Sequence, residues 1–267
     1  MVVFQLVCLV FLPVAYWLLY RVDHDVLHVS PMIFLAAWLG EAGSIAFYDF
    51  YHYNPQWWLS VGEVPVMIPL IWPLVILSAR AVGRALFPER ARWLPVIVAV
   101  VVFFDAAMVE VAAVNTGLWS WAEPGMLGVP LAGVVGWALF AGIVTALLAK
   151  LRGLWRWAIV GAAPVLLHGL LIGSWWLLLK WTLRGDWFWL FAGVTVALAV
   201  VALRVRGRQR MGMDLALPRL IAAGIFVGMV LLANEGGWPV WRHIAMTSIP
   251  YALVTQFQRK ILAGKPI

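Results

Sequence analysis

The chain has a single cysteine, Cys8, and it lies inside an apolar run. An intrachain disulfide is therefore excluded, and a thiolate metal site or redox pair has no second ligand. Charge is just as scarce: 12% of the 267 residues are Asp, Glu, Lys or Arg, against 64% hydrophobic residues and a mean hydropathy of +0.94. A chain so poor in polar groups cannot clothe a water-soluble globule, so lipid is its solvent. Also missing are a Gly-rich phosphate loop, a His-Glu-x-x-His pair and a nucleophile elbow. The paired Asp-rich motifs of magnesium-dependent prenyl transfer are missing too. These absences argue against nucleotide, zinc-protease and serine-hydrolase chemistry and predict no metal and no cofactor.

What is present is a succession of long apolar runs. Spanning a bilayer core takes roughly 20 mostly apolar residues, so the length has room for about eight or nine spans and none for a separate soluble domain. Residues 1–267 read as one transmembrane domain, an all-α polytopic helical bundle. Apolar windows fall near 2–20, 31–50, 64–86, 93–114, 128–149, 157–180, 187–204 and 218–234, with a weaker ninth at 239–257. The first run lacks a basic leader and a small-residue cleavage site and is read as a retained helix. Pro13, Pro69, Pro73 and Pro164 are expected to kink their helices.

The formal charge of +7 would suggest nucleic acid in a soluble protein, but here the cations punctuate the apolar runs, and no nucleic-acid partner is expected. Sixteen of the 19 Lys and Arg residues gather at alternate connections, from Arg21 through Arg80, Arg84 and Arg156 to Arg219 and the C-terminal stretch. The positive-inside rule then places the N-terminus outside a bacterial-type inner (cytoplasmic) membrane, and the C-terminus in the cytoplasm if nine spans form. Such a face attracts anionic membrane lipids at about 1 kcal/mol per well-placed Lys or Arg. Asp23, His24, Asp25 and His28 on the first basic connection read as a solvated loop rather than a metal site. The opposite connections carry Tyr48-Asp49-Phe50-Tyr51-His52-Tyr53-Asn54-Pro55-Gln56-Trp57-Trp58 and Gly117-Leu118-Trp119-Ser120-Trp121-Ala122-Glu123-Pro124. Interfacial aromatic belts account for many such rings. Acids among them are less expected.

Four acids fall within or at the end of spans: Glu41, Asp105, Glu110 and Glu235. An Asp at a helix centre costs about 2.5–3.5 kcal/mol on insertion scales, so each needs a reason. In the orientation above all four lie between mid-membrane and the outer interface, where they can line one cavity. Asp105 and Glu110 are separated by about 140° around a helix and about 7.5 Å along it, so at most one is expected to face a given pocket centre. The other is expected to bond a neighbouring helix through an amide, a hydroxyl or His168. A carboxylic acid in an apolar cavity holds its proton near neutrality and can donate it. Beside aromatic faces, which stabilise cations, it can protonate an electron-rich alkene and hold the resulting carbocation. Glu41 or Asp105 is the expected general acid and Glu110 its partner or the group that orients water. Tyr48, Tyr53, Trp72, Trp119, Trp121 and Trp137 are candidate walls, with His168 beside them. A membrane-dissolved polyene or polyprenyl chain is the natural substrate. The plain alternative is that the acids only fasten helices together.

The order of motifs is itself distinctive. Glu41-Ala42-Gly43, the tyrosines 48, 51 and 53, Val64-Pro65-Val66 leading to Pro69-Leu70-Ile71-Trp72, then Asp105, Gly117-Leu118-Trp119-Ser120-Trp121, Gly128-Val129-Pro130 and Gly136-Trp137 resemble the carotenoid biosynthesis membrane proteins typified by carotenoid end-group hydratases. The likeness covers roughly residues 35 to 140. The chain differs in carrying Val134-Val135 before Gly136-Trp137 and Glu110 soon after Asp105. The resemblance implies addition of water across the terminal double bond of an isoprenoid or carotenoid lipid, through protonation to a tertiary cation. A more distant likeness to integral membrane terpene cyclases implies the same protonation with capture by an internal alkene. A non-catalytic lipid or pigment binder, or a small transporter, is the third reading.

Overall fold

The computed structural model of the protein describes residues 1–174, 187–205, 213–233 and 237–256. Nine α-helices are found among the described residues, and they follow the nine apolar runs in order. They are α1 (Val2–Val22), α2 (Val26–Tyr48), α3 (Met67–Leu86), α4 (Leu94–Asn115), α5 (Leu131–Lys150), α6 (Ile159–Ser174), α7 (Phe188–Val205), α8 (Met213–Ala233) and α9 (Gly237–Gln256). Seven segments are long and apolar enough to cross a membrane: α1, α2, α3, α5 and α8, and α4 and α6 each taken with the 3-10 turn that leads into it (Pro88–Trp93 and Gly153–Ala158). The helix satisfies its own N–H and C=O groups, which hydrocarbon cannot, and so it is the form these runs take. The chain is thus an all-α membrane protein. Helix α7 has a shorter apolar stretch, Phe188–Leu198, and α9 mixes Arg242, His243, Thr247 and Ser248 into its apolar residues. The last residues of the sixth apolar run and Glu235 lie outside the described residues.

Helices α3 and α4 are the most enclosed of the seven, whereas α6 and α8 present most of their surface outward. Small residues permit the close approach of α4 to its neighbours: Ala106, Ala107, Ala112 and Ala113 are completely buried. On α5, a Cβ added at Gly142 would stand 3.3 Å from both Ala99 Cβ and the Pro95 carbonyl. In lipid, where apolar side chains gain little by leaving solvent, this contact packing drives helix association. On its other flank α4 meets α7 and α9 through Phe103 stacked on Phe191 at 5.0 Å and through the His243 ring, whose Nε2 is 3.0 Å from the Ala107 carbonyl oxygen. Pro73 lies inside the continuous helix α3, and the Tyr16 hydroxyl donates to the carbonyl of Leu70 in the turn before it (2.9 Å). Pro69 instead falls in the first turn of α3, where its missing N–H costs nothing.

The two aromatic connections are not loose loops. After α2, Asp49 adopts a left-handed conformation (φ 51°), and after α4, Gly117 does the same (φ 73°). These turns redirect the chain across the end of the bundle. Strands β1 (Tyr51–Tyr53) and β4 (Trp119–Trp121) then pair antiparallel, with Tyr51 opposite Trp121 and Tyr53 opposite Trp119. A smaller ladder of β2 (Ser60–Val61) and β3 (Val64–Pro65) follows in the same connection, so the run expected to be helical from residue 64 begins as a strand. Helix α1 fastens this lid: the buried Gln5 amide donates to the Gln56 carbonyl (3.2 Å) and accepts from the Trp58 N–H (2.7 Å).

Candidate active site

Side chains alternate along a strand, so β1 and β4 send His52 and Ser120 one way and four rings the other. Those four, Tyr51, Tyr53, Trp119 and Trp121, roof a cavity of about 650 Å³ enclosed by α1 to α6 and α8. Tyr51 lies 4.9 Å from Trp121 and 5.5 Å from Tyr53, centroid to centroid. Lower in the cavity, Trp72 packs on Trp137 (4.6 Å) and edgewise on Phe140 (4.9 Å).

Two glutamates line the cavity beneath this roof. Glu41, from α2, accepts hydrogen bonds at Oε2 from the hydroxyls of Tyr51 and Tyr53, the latter at 2.8 Å, and at Oε1 from the Trp72 indole (2.9 Å). Glu110, from α4, accepts the indole N–H groups of Trp119 (2.9 Å) and Trp121 (3.0 Å), both at Oε2. The carboxyls are close enough to act on each other electrostatically, and both act on Tyr51 and Tyr53. Burial comes first among the causes, with the Glu41 charge next, that hold the two tyrosine hydroxyls well above the ordinary value of 10.0, so they stay neutral donors. A Cβ at Gly133 on α5 would stand 2.4 Å from the Trp121 ring, so only glycine there lets the indole reach Glu110.

Asp105 also lines the cavity, one level below Glu110, in a different partnership. Its carboxylate pairs with the guanidinium of Arg219 on α8, which also donates to the Ser78 hydroxyl on α3 (2.8 Å). The expectation that only one of Asp105 and Glu110 would face the cavity is therefore corrected. The cavity extends along the helix axis, and the two residues meet it at successive levels. Arg219 is corrected too: it is read from sequence as a membrane-surface cation, whereas its side chain reaches into the cavity wall.

Of the other expected wall residues, Tyr48 lines the cavity with its ring stacked on Phe50 (5.1 Å), and Trp72, Trp119, Trp121 and Trp137 all line it. His168 does not: its ring sits behind Tyr48 (5.4 Å) and against Gly43, filling the α2–α6 seam rather than bonding an acid. Sequence reasoning passed over Tyr51, Arg219 and Ser78. The alternation Tyr51-His52-Tyr53 set against Trp119-Ser120-Trp121 was the available signal for the first. No sequence signal pointed to the other two. Among the described residues, no three His, Cys, Asp or Glu side chains come together as a metal-ligating group. Comparison of the chain with protein-family models, curated proteins and solved structures finds no match.

Proposed function

We propose that the protein is a membrane enzyme of isoprenoid or carotenoid metabolism that protonates a terminal alkene and directs water onto the resulting cation. The observation that carries the reading is the pair Glu41 and Glu110, held by two phenol and three indole donors in an aromatic cavity within an apolar bundle. The Trp119 and Trp121 indoles converge on Glu110 Oε2, the Trp137 indole also acts on the carboxyl, and Oε1 is the oxygen assigned the proton. That proton passes to the terminal alkene carbon, the O–H bond breaking as the C–H bond forms. Positive charge then appears on the neighbouring tertiary carbon, where the faces of Trp72, Trp121 and Trp137 offset it. Water adds to the cation and releases its proton to Glu41, and return of a proton from Glu41 to Glu110 resets the pair. Asp105 is committed to Arg219 and is not assigned the donor role. The roofed end faces outward from a bacterial-type cytoplasmic membrane in this proposal, with the basic end inside.

The test is mass spectrometry of lipid extracts from a host making acyclic carotenoids or long polyprenyl chains. The wild type, Glu110→Gln and Glu41→Gln are compared. A product heavier by one water, lost in the Glu110 variant, is expected. An isomer of unchanged mass that depends on Glu110 would instead mean cyclisation by an internal alkene. A product that survives in both variants removes the acid mechanism.

A further inference from the structure

At the end of the bundle opposite the roof, charged groups from three parts of the chain converge. Asp23 and Asp25 come from the α1–α2 connection, Arg80 and Arg84 from α3, and Arg156 from the 3-10 turn Gly153–Ala158 that leads into α6. Arg84 Nη1 bonds Asp23 (3.2 Å), and Arg156 Nη1 bonds both oxygens of Asp25 (2.9 and 3.1 Å). Both aspartates are thus engaged. Arg80 lies within electrostatic reach of all four groups. It is only 8% exposed, and its Nε is fully buried with no hydrogen-bond partner among the described residues. The Nε of Arg156 is buried in the same condition. Three guanidinium groups against two carboxylates leave one positive charge in excess. A buried cationic donor without an acceptor is costly, because desolvation has no compensating bond.

We propose that Arg80, with Arg84 and Arg156, forms a binding site for a phosphate-type anion at this end of the membrane domain. Planar guanidinium donors recognise the oxygens of phosphate, and a tetrahedral dianion or phosphodiester neutralises the excess charge while accepting the buried N–H groups. Asp23 and Asp25 hold the flanking arginines in place and keep the site selective for one anion rather than a general cationic surface. The chemistry is that of a phospholipid headgroup and of a free phosphate or diphosphate alike. It does not rest on the alkene-protonation reading.

Full-length protein is reconstituted in nanodiscs of phosphatidylcholine with or without phosphatidylglycerol, and the latter set is also titrated with inorganic phosphate and pyrophosphate. Retained lipid is counted by native mass spectrometry, and melting temperature is followed in parallel. The expected result is one retained phosphatidylglycerol per chain, or a phosphate-dependent rise in melting temperature. Arg80→Gln should weaken either one about tenfold or more, while the exposed Arg92→Gln leaves both unchanged. Retention of the anionic lipid without response to soluble phosphate assigns the site to a headgroup, and the reverse pattern assigns it to a diffusible phosphate. If the wild type shows neither, or Arg80→Gln keeps both, the proposal is overturned. Arg80→Met is the second variant. With no anion it should melt no lower than wild type, because a buried Nε–H donor without an acceptor has been removed, and it should gain nothing from added anion. Loss of stability or of folding in both variants irrespective of anion makes Arg80 structural and also overturns the proposal.

Discussion

Replacing Glu110 by Gln and by Ala separates what its carboxyl does for the fold from what it does for chemistry. Both indole donors converge on a single oxygen, Oε2. The amide oxygen of Gln can occupy that position and accept both, with its NH2 where Oε1 stood. Glu110→Gln should therefore keep the lid in place, within about 1 kcal/mol of wild type. Glu110→Ala strands two buried N–H groups at about 1–3 kcal/mol each, so a loss of about 2–6 kcal/mol is expected, less whatever cavity water recovers. Catalysis should show the opposite pattern. If the O–H of residue 110 is the proton source, Gln and Ala are equally dead, each about 10²-fold or more below wild type, the usual worth of a positioned general acid. The assay pairs unfolding in mixed micelles with product quantified by mass spectrometry, and infrared spectra of the wild type and Glu110→Gln should differ by the carbonyl band of a protonated carboxylic acid. Equal stability of the two variants would refute the hydrogen-bond argument. Wild-type turnover in Glu110→Gln would refute the donor assignment even with the lid intact.

Glu41→Gln should be the more disruptive of the two glutamine variants, because both Glu41 oxygens accept and an amide group must confront either the Trp72 indole or the tyrosine hydroxyls; a melt comparison of the two reads this, at about 1–3 kcal/mol. Gly133→Ala forces the Trp121 ring off its position, so tryptophan fluorescence and turnover should both change while the protein still inserts. Asp105→Asn leaves the Arg219 guanidinium with a weaker partner inside the bundle, and about 3–5 kcal/mol of stability should be lost, with partial recovery on adding Arg219→Gln. Tyr51 and Tyr53 hold their protons more tightly folded than unfolded, so their contribution is complete below pH 10.0 and declines as pH rises above it. An alkaline absorbance titration should show these two tyrosines ionising only on unfolding, and Tyr51→Phe/Tyr53→Phe should remove that component.

Much of the fold was legible because the bilayer allows so few solutions. A run such as residues 93–114 must be a helix in lipid, and the observed Leu94–Asn115 departs from it by one residue at each end. Errors arose where the physics is less restrictive. Val64 and Pro65 extend an apolar run, and only the turn at Gly62 (φ 62°) and the ladder with Ser60 and Val61 make them a strand. The aromatic connections looked like interfacial belts, since a belt and a roof have the same composition. Their pairing joins segments more than 60 residues apart, and no local pattern reports it.

The candidate site divides along the same line. That acids at Glu41, Asp105 and Glu110 needed compensation followed from the cost of polarity in lipid, which composition and spacing alone reveal. Which donor compensates which acid did not follow. Helical periodicity set Asp105 and Glu110 on different faces, yet one cavity meets both, because α3, α5 and α8 all pack around α4 and contribute to its walls. Arg219 is near the start of its helix and scored as a surface charge, but a long flexible side chain goes wherever a buried carboxylate draws it. Likewise Arg80 counted as one cation among many until the packing of three chain segments showed that the nearby aspartates serve other arginines. Sequence determined that this is a membrane-embedded helical bundle bearing acids and aromatic rings, because solvent and hydrogen-bond closure act on each segment alone. Tertiary structure decided which acid meets which donor, because hydrogen bonds and ion pairs depend on positions in space that distant segments set together.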